Sequence, residues 1–360
     1  ERFLVDSKII FTTAFLLILG AAGGFVAEKV GLPMPWMLGS LLITALTVSW
    51  EKRVLPDKYE FPPNFRKFFI AFIGIMIGTQ VNWSLISQAP QMVPSLIIIS
   101  IFVILAHASN FFIFNRIGGY DRSTAFFCGA PGGLMESISM GEEAGCDIRI
   151  LTVQQFLRII FVIMLVPILM SIWVGETLGS ASGIKLPVVY SNLTWVQNYL
   201  IVLITAILGL YIGPKLRLPA AHLMGPLFVA AAVNLTYSDP IYLPSFMIII
   251  SQVVVGVGLG SKFFGISKAI LYRAAGLSFV SVITMLFIGL LLCLLVFPFT
   301  TLSFQVLLVS FAPGGVTEMS LIALSLSANP AVVTLHHLYR IILTVLGLSF
   351  LRKRLGLTSV

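Results

Sequence analysis

The chain is short of charge. Only 10% of its 360 residues are Asp, Glu, Lys or Arg, against roughly 25% in an average soluble protein, and just 14 of these are acids. Cysteine occurs three times (Cys128, Cys146 and Cys293) and histidine four times. The cysteines have neither metal-ligand spacing nor a disulfide framework. His107 and His222 stand alone, with no ligand-spaced acids or cysteines nearby, so no metal is expected. No Walker motif, dinucleotide fingerprint or nucleophile–base constellation occurs. ATP-driven transport by this chain alone is therefore disfavoured, an enzyme is not expected, and no cofactor is called for. The basic residues are scattered over short loops without a continuous stripe, which argues against nucleic acid as a partner.

What the chain has instead is apolar sequence. Hydrophobic residues make up 58%, and mean hydropathy is +1.03. This is the composition of an integral membrane protein whose first partner is the bilayer. Spanning helices need about 20 apolar residues. Such segments are expected near 9–27, 34–50, 65–81, 92–114 and 150–174, and again near 198–216, 220–237, 245–263, 269–299 and 331–351. The one long polar stretch at mid-chain, about 175–197, links a first membrane repeat (1–174) to a second (198–360).

Two apolar segments are left over, 121–145 and 302–326, and both contain the same break. Ala130-Pro131-Gly132-Gly133-Leu134-Met135-Glu136 leads to Arg158; Ala312-Pro313-Gly314-Gly315-Val316-Thr317-Glu318 leads to Arg340, at a constant offset of 182 without a gap. Leu32-Pro33 with Gly39 matches Leu218-Pro219 with Gly225 at an offset of 186, and Gly74-Ile75-Met76-Ile77-Gly78 matches Gly256-Val257-Gly258-Leu259-Gly260 at 182. The glycines have the small-xxx-small spacing of close helix packing. The halves thus share one pattern of six segments each.

Pro-Gly-Gly cannot continue a regular helix. A non-helical turn at membrane depth leaves backbone groups unpaired unless it lines a cavity or binds a ligand. If each broken segment dips in and returns, every half has five crossings and the second half is inverted. Eighteen basic residues, from Arg2 and Lys8 to Arg354, then share one face, Lys29 and Lys185 lie on the other, and Arg158 and Arg340 lie within the membrane. If the segments cross, the split is 13 against 7 with parallel repeats. The positive-inside rule favours the first arrangement. The expected fold is therefore an all-α polytopic membrane protein of two inverted repeats, each of five spanning helices plus one re-entrant or broken helical hairpin, with both termini cytoplasmic.

The candidate binding residues follow from charge inside apolar sequence. They are Pro131, Gly132, Gly133, Glu136, Gln154, Gln155 and Arg158, with Pro313, Gly314, Gly315, Glu318, His336, His337 and Arg340 in the second copy. The half-helices after the breaks point N-terminal N–H groups at the turn, which favours anions. Glu136 and Glu318 have three readings: caps of their own helices, sites for a coupling H+ or Na+, or partners of the arginines. Arg158 and Arg340 either pair with those acids or meet an anionic substrate. Gln154-Gln155 aligns with His336-His337, one turn before the arginines and on the same face. These histidines either relay protons or are hydrogen-bonded core residues. Asn110 and Gln252 are candidates for helix–helix hydrogen bonds.

The paired motifs, together with Asp147-Ile148-Arg149 and Gln154-Gln155-Phe156-Leu157-Arg158 against His336-His337-Leu338-Tyr339-Arg340, resemble the duplicated AbrB-type membrane protein family over nearly the whole chain. The second copy departs at Asn329-Pro330, where Asn329 aligns with Asp147. The resemblance implies a polytopic protein of the bacterial inner membrane, a regulator or a transporter, and supplies no substrate. Some members carry the label ammonia monooxygenase; metal-dependent oxidation needs a ligand cluster that this sequence lacks. The leading expectation is a secondary active transporter of a small polar solute, with a carboxylate favoured, coupled to H+ or Na+ and working by alternating access around the paired breaks. The alternative is a membrane sensor or regulatory subunit that binds a small ligand without moving it. A homo-oligomer is compatible with either.

Overall fold

The computed structural model describes residues 2–32, 34–50, 56, 59–175, 193–216, 218, 220–236, 241–265, 268–326 and 328–354. The central part of the linker with Lys185, the prolines Pro33 and Pro219 of the outer match, and Lys52, Arg53, Lys58 and Arg217 lie outside the described residues. All regular secondary structure among the described residues is helical. The first half folds as α1 (Arg2–Lys29), α2 (Pro35–Trp50), α3 (Pro63–Gly78), the short α4 (Trp83–Ser87), α5 (Val93–Phe112), α6 (Arg122–Cys128), α7 (Leu134–Glu143) and α8 (Ile148–Val174). The second half folds as α9 (Trp195–Lys215), α10 (Ala221–Thr236), α11 (Ser245–Gly260), α12 (Lys268–Val296), α13 (Phe304–Phe311), α14 (Val316–Ser325) and α15 (Pro330–Arg354).

The repeat read from the sequence is a repeat of helices. Adding 182 to the bounds of α3 and α7 gives those of α11 and α14, and adding 186 to those of α2 gives α10. Both expected breaks are present, as the interruptions between α6 and α7 and between α13 and α14.

Seven stretches are helical, long and apolar enough to cross a bilayer: Lys8–Lys29, Ala89–Ile117, Ile148–Trp173, Trp195–Lys215, Ser245–Phe263, Ile270–Phe299 and Pro330–Arg352. The sequence led us to expect ten. The other three expected spans, α2, α3 and α10, are helices of only 16 residues each. At 1.5 Å per residue that is about 24 Å, short of a hydrocarbon core about 30 Å thick.

The chain divides into two compact units, each drawing on both halves of the sequence. One comprises Glu1–Ile86, Pro167–Ile266 and Leu324–Ala331; the other comprises Ser87–Val166, Ser267–Ala323 and Val332–Val360. In the first unit α1 packs on α2, α2 on α11, α3 on α10 and α9 on α10. Glycine makes the exchanged contacts possible. A Cβ on Gly74 would meet the carbonyl oxygen of Leu223, and one on Gly256 that of Met37, the residue 186 positions before Leu223. Likewise Gly78 faces the carbonyl of Leu227 and Gly260 that of Leu41. The α3–α10 and α2–α11 interfaces are therefore two copies of one backbone-to-backbone contact.

In the second unit α5 packs on α12 and α6, α12 on α13, and α6 on α7. Asn110, buried in α5, accepts from Ser281 Oγ of α12 at 2.7 Å and donates to the Gly129 carbonyl at 3.2 Å, so it is a helix–helix hydrogen bond of the expected kind. Phe102 of α5 and Phe311 of α13 meet edge to face with ring centres 6.0 Å apart.

Candidate functional site

The breaks lie inside the second unit, with Ala130, Pro131, Gly132 and Gly133 buried and Ala312, Pro313 and Gly314 buried likewise. Gly133 adopts φ +64° at the N-terminal boundary of α7, a left-handed conformation open to glycine at little cost. The turn ends there and the helix starts with its N–H groups facing the break.

Each break is held by its own arginine. Arg158 Nη1 of α8 donates to the Ala130 carbonyl, and Arg340 Nη1 of α15 donates to the Ala312 carbonyl. The pairs are equivalent at the offset of 182. Arg340 Nη2 also donates to the Gly314 carbonyl at 2.7 Å. Both arginines are buried, Arg158 to 5% exposure and Arg340 to 0%. Among the described residues the ion pairs are Lys262–Glu60 and Arg352–Glu143; neither buried arginine has a carboxylate partner. The alternative in which each arginine pairs with its break glutamate is thus not what the geometry contains. Carbonyls freed by the broken helix are closer to the guanidinium forks and take them instead.

The glutamates point elsewhere. The carboxylate of Glu318 occupies the space a Cβ on Gly315 would need, and Glu136 Oε2 lies 3.3 Å from the corresponding point on Gly133. Each sits at the third position of its helix and folds back over the glycine at its start. That is where an acid complements the N-terminal dipole. Glu318 is buried and Glu136 partly so.

After these contacts the arginines keep unused donors. Nε of Arg158 and Nε of Arg340 are both buried and without a partner among the described residues. The first break also abuts the second arginine: a point one bond from Gly132 is 3.6 Å from Arg340 Nε and 3.4 Å from Thr344 Oγ1. Arg340 thereby lies against the first break as well as clamping the second.

The residues one turn earlier differ in role. Gln154 Nε2 donates to Tyr120 Oη at 2.9 Å, and Ser278 Oγ donates to Gln154 Oε1, so both ends of its amide are occupied. Burial raises the Tyr120 phenol above its ordinary pKa, which keeps it a neutral hydroxyl in this chain of contacts. His336 is held through Nδ1 by the Val332 carbonyl at 2.8 Å and through Nε2 by Ser95 Oγ at 2.7 Å. Gln155 and His337 each keep one buried atom unpartnered among the described residues, Oε1 and Nε2 respectively. Gln155 Nε2 donates to the Phe127 carbonyl at 2.9 Å, and His337 Nδ1 contacts the Val333 carbonyl at 2.9 Å. Gln154 and His336 thus have both polar ends occupied within the protein. We expect Gln154→Leu to lower stability by about 1–3 kcal/mol, since it strands two buried hydroxyls, with ligand affinity unchanged in a binding assay on the purified protein.

Sequence reading overlooked Tyr120, Ser278, Ser95 and Thr344. A count of hydroxyl positions within apolar helices would have found Ser278, Ser95 and Thr344. Tyr120 lies in a loop and carried no such signal.

The fold and the site define a polytopic helical membrane protein built on a duplicated six-segment pattern. The family model described as transition state regulatory protein AbrB matches residues 48–356, and the chain belongs to that family. It is 25% identical over 354 residues to YhjN of Bacillus subtilis (strain 168), covering 92% of this chain and 90% of that one. It is 22% identical over 267 residues to the "Putative regulator AbrB" of Escherichia coli (strain K12), covering 73% and 74%.

Proposed function

We propose that this protein is a secondary active transporter of a small carboxylate and not an enzyme. The observation that supports this most is the pair of buried arginines: each clamps a helix break, neither has an acid partner among the described residues, and each keeps a buried Nε donor. A carboxylate offers two oxygens and accepts charge-assisted hydrogen bonds, so it suits a guanidinium N–H left unused. It also meets the N-termini of α7 and α14, whose dipoles favour negative charge. Broken helices around a binding site recur in transporters built from repeated halves. On this reading the repeats are inverted, the basic face and both termini are cytoplasmic, and the protein resides in the inner membrane. Glu136 or Glu318 carries the coupling H+ or Na+, because either can exchange its helix-capping role for an ion without unpairing an arginine.

The test is electrical. Reconstituted protein on a solid-supported membrane is given carboxylates, amino acids and amines, with and without Na+ and a pH step. A carboxylate-specific current that requires Na+ or a proton gradient, and that disappears in Glu318→Gln, is the expected result. Electroneutral exchange would appear instead as isotope flux without current. The second reading, a sensor, is favoured by the name of the Escherichia coli relative, which calls that protein a regulator. Carboxylate binding with neither current nor isotope flux would replace the transporter with it.

A further inference from the structure

We infer that the second unit carries a binding site for an anionic phospholipid in a groove between α5 and α15. Two adjoining cavities of about 500 and 510 Å³ share His107, Ala108 and Leu351. Their other walls differ in character. One end is polar, with Asn115, Arg116 and Arg122. The other is apolar, with Val103, Ile104, Leu343, Leu346 and Phe350 among its walls.

Depth in the membrane separates these ends as an amphiphile does. The helical span containing α5 ends at Ile117, one residue past Arg116, and the span of α15 ends at Arg352, one residue past Leu351. The polar end is therefore level with the ends of both spans, where headgroups lie. From there the apolar arm runs back along the helices into the hydrocarbon layer. Ile104, Leu346 and Phe350 remain open on its surface, 68%, 61% and 56% exposed. An acyl chain covers such a surface and a soluble anion does not.

Charge at the mouth selects the headgroup. Arg116 and Arg122 are exposed and make no ion pair among the described residues. Arg354 lies 4.6 Å over the ring of Phe350 and adds a third cation. The nearby acids are engaged: Asp121 accepts from the Thr124 N–H as the cap of α6, and Glu143 pairs with Arg352 at 2.8 Å. A π-helical turn at Ile113–Ile117 presents Asn115 and Arg116, and such bulges concentrate at functional positions. Asn115 is tied to the Tyr120 carbonyl at 2.9 Å, which leaves the arginines to meet phosphate. Deeper in the groove, His107 rests edge-on against Phe126, with ring centroids 4.7 Å apart. Basic clusters at span ends attract the anionic lipids of the cytoplasmic leaflet.

The full chain, purified in detergent, is mixed with phosphatidylglycerol or phosphatidylcholine of the same acyl chains. Native mass spectrometry reads retained lipid and a thermal melt reads stability. Phosphatidylglycerol is expected to be retained at about one per chain and to raise Tm, and phosphatidylcholine to do neither. Arg116→Gln with Arg122→Gln should weaken phosphatidylglycerol retention about tenfold or more, the scale of two charge-assisted contacts. Gly347→Leu tests the tail arm alone. A Cβ at Gly347 meets nothing within 4 Å, so leucine fills the groove with both arginines intact and should also expel the lipid. Should Gly347→Leu fail to fold, the surface arginine variant still decides. Equal retention of the two lipids, retention unchanged in the arginine variant, or displacement by soluble glycerol phosphate at millimolar concentration would each overturn the proposal.

Discussion

Gly74→Ala combined with Gly256→Ala should abolish folding, and either substitution alone should be severe. At both positions the added Cβ would meet a backbone carbonyl, that of Leu223 or of Met37. A side chain can rotate away; a carbonyl within a helix cannot, so the helices must separate along their length. Overpacking of a core costs about 1–3 kcal/mol and sometimes more, and immovable backbone puts these sites at the upper end. About 3 kcal/mol is more than a hundredfold in the folding equilibrium. The equivalence of the two interfaces predicts similar losses for the two single variants. Gly276→Ala is the control: nothing lies within 4 Å of its added Cβ, and alanine in a helix is better than glycine by about 0.5–1 kcal/mol. Thermal unfolding of detergent-solubilised protein, followed by size-exclusion profile, reads all four. Normal melting of Gly74→Ala would show that the α3–α10 contact is looser than the geometry requires.

The second large effect belongs to the arginines. Arg340→Ala removes the donor to two buried carbonyls, Ala312 and Gly314; Arg158→Ala removes the donor to Ala130. A stranded buried acceptor costs about 1–3 kcal/mol. Relief of the buried charge opposes this loss. We expect a net loss of about 3 kcal/mol for Arg340→Ala and about half that for Arg158→Ala. Lysine does not rescue function at either position, because an ammonium lacks the fork that serves a carbonyl and a ligand together. Arg340→Lys should therefore recover part of the stability while carboxylate current stays absent. An Arg340→Ala protein that melts with the wild type would mean that the clamp on the second break is not structural. Wild-type current in Arg340→Lys would remove the arginine from substrate contact.

The site was legible to the extent that a residue type limits its own surroundings. Pro-Gly-Gly in apolar sequence announces a helix break wherever it falls, and a guanidinium there must find acceptors. Which acceptors it finds is not a property of the arginine. A carboxylate three residues into the half-helix and a carbonyl at the turn are both acceptors, and both lie near Arg158 and Arg340 in any plausible packing. The choice depended on where Glu136 and Glu318 turned. Each had a competing attraction, the N-terminus of its own helix, which a pairwise reading of charges underrates.

Gln154 and His336 make the same point. Both lie one turn before the arginines and on the same face in sequence, yet Ser278 and Ser95 draw them away to the facing helices. By contrast Gln155 and His337, adjacent in the chain and alike in polarity, keep an unpartnered atom. One residue of helical rotation, about 100°, separates the two outcomes.

Sequence alone determined the membrane class, the duplication and the helix breaks. Each of these follows from local constraints: span length from apolar runs, breaks from Pro-Gly-Gly, register from a constant offset of 182. Tertiary structure alone decided two things. It gave the arginines to backbone carbonyls instead of glutamates, and it left one guanidinium Nε of each without a partner among the described residues. Buried hydrogen bonds are settled by competition among partners that meet only in the packed chain, and the sequence names the competitors without ranking their distances.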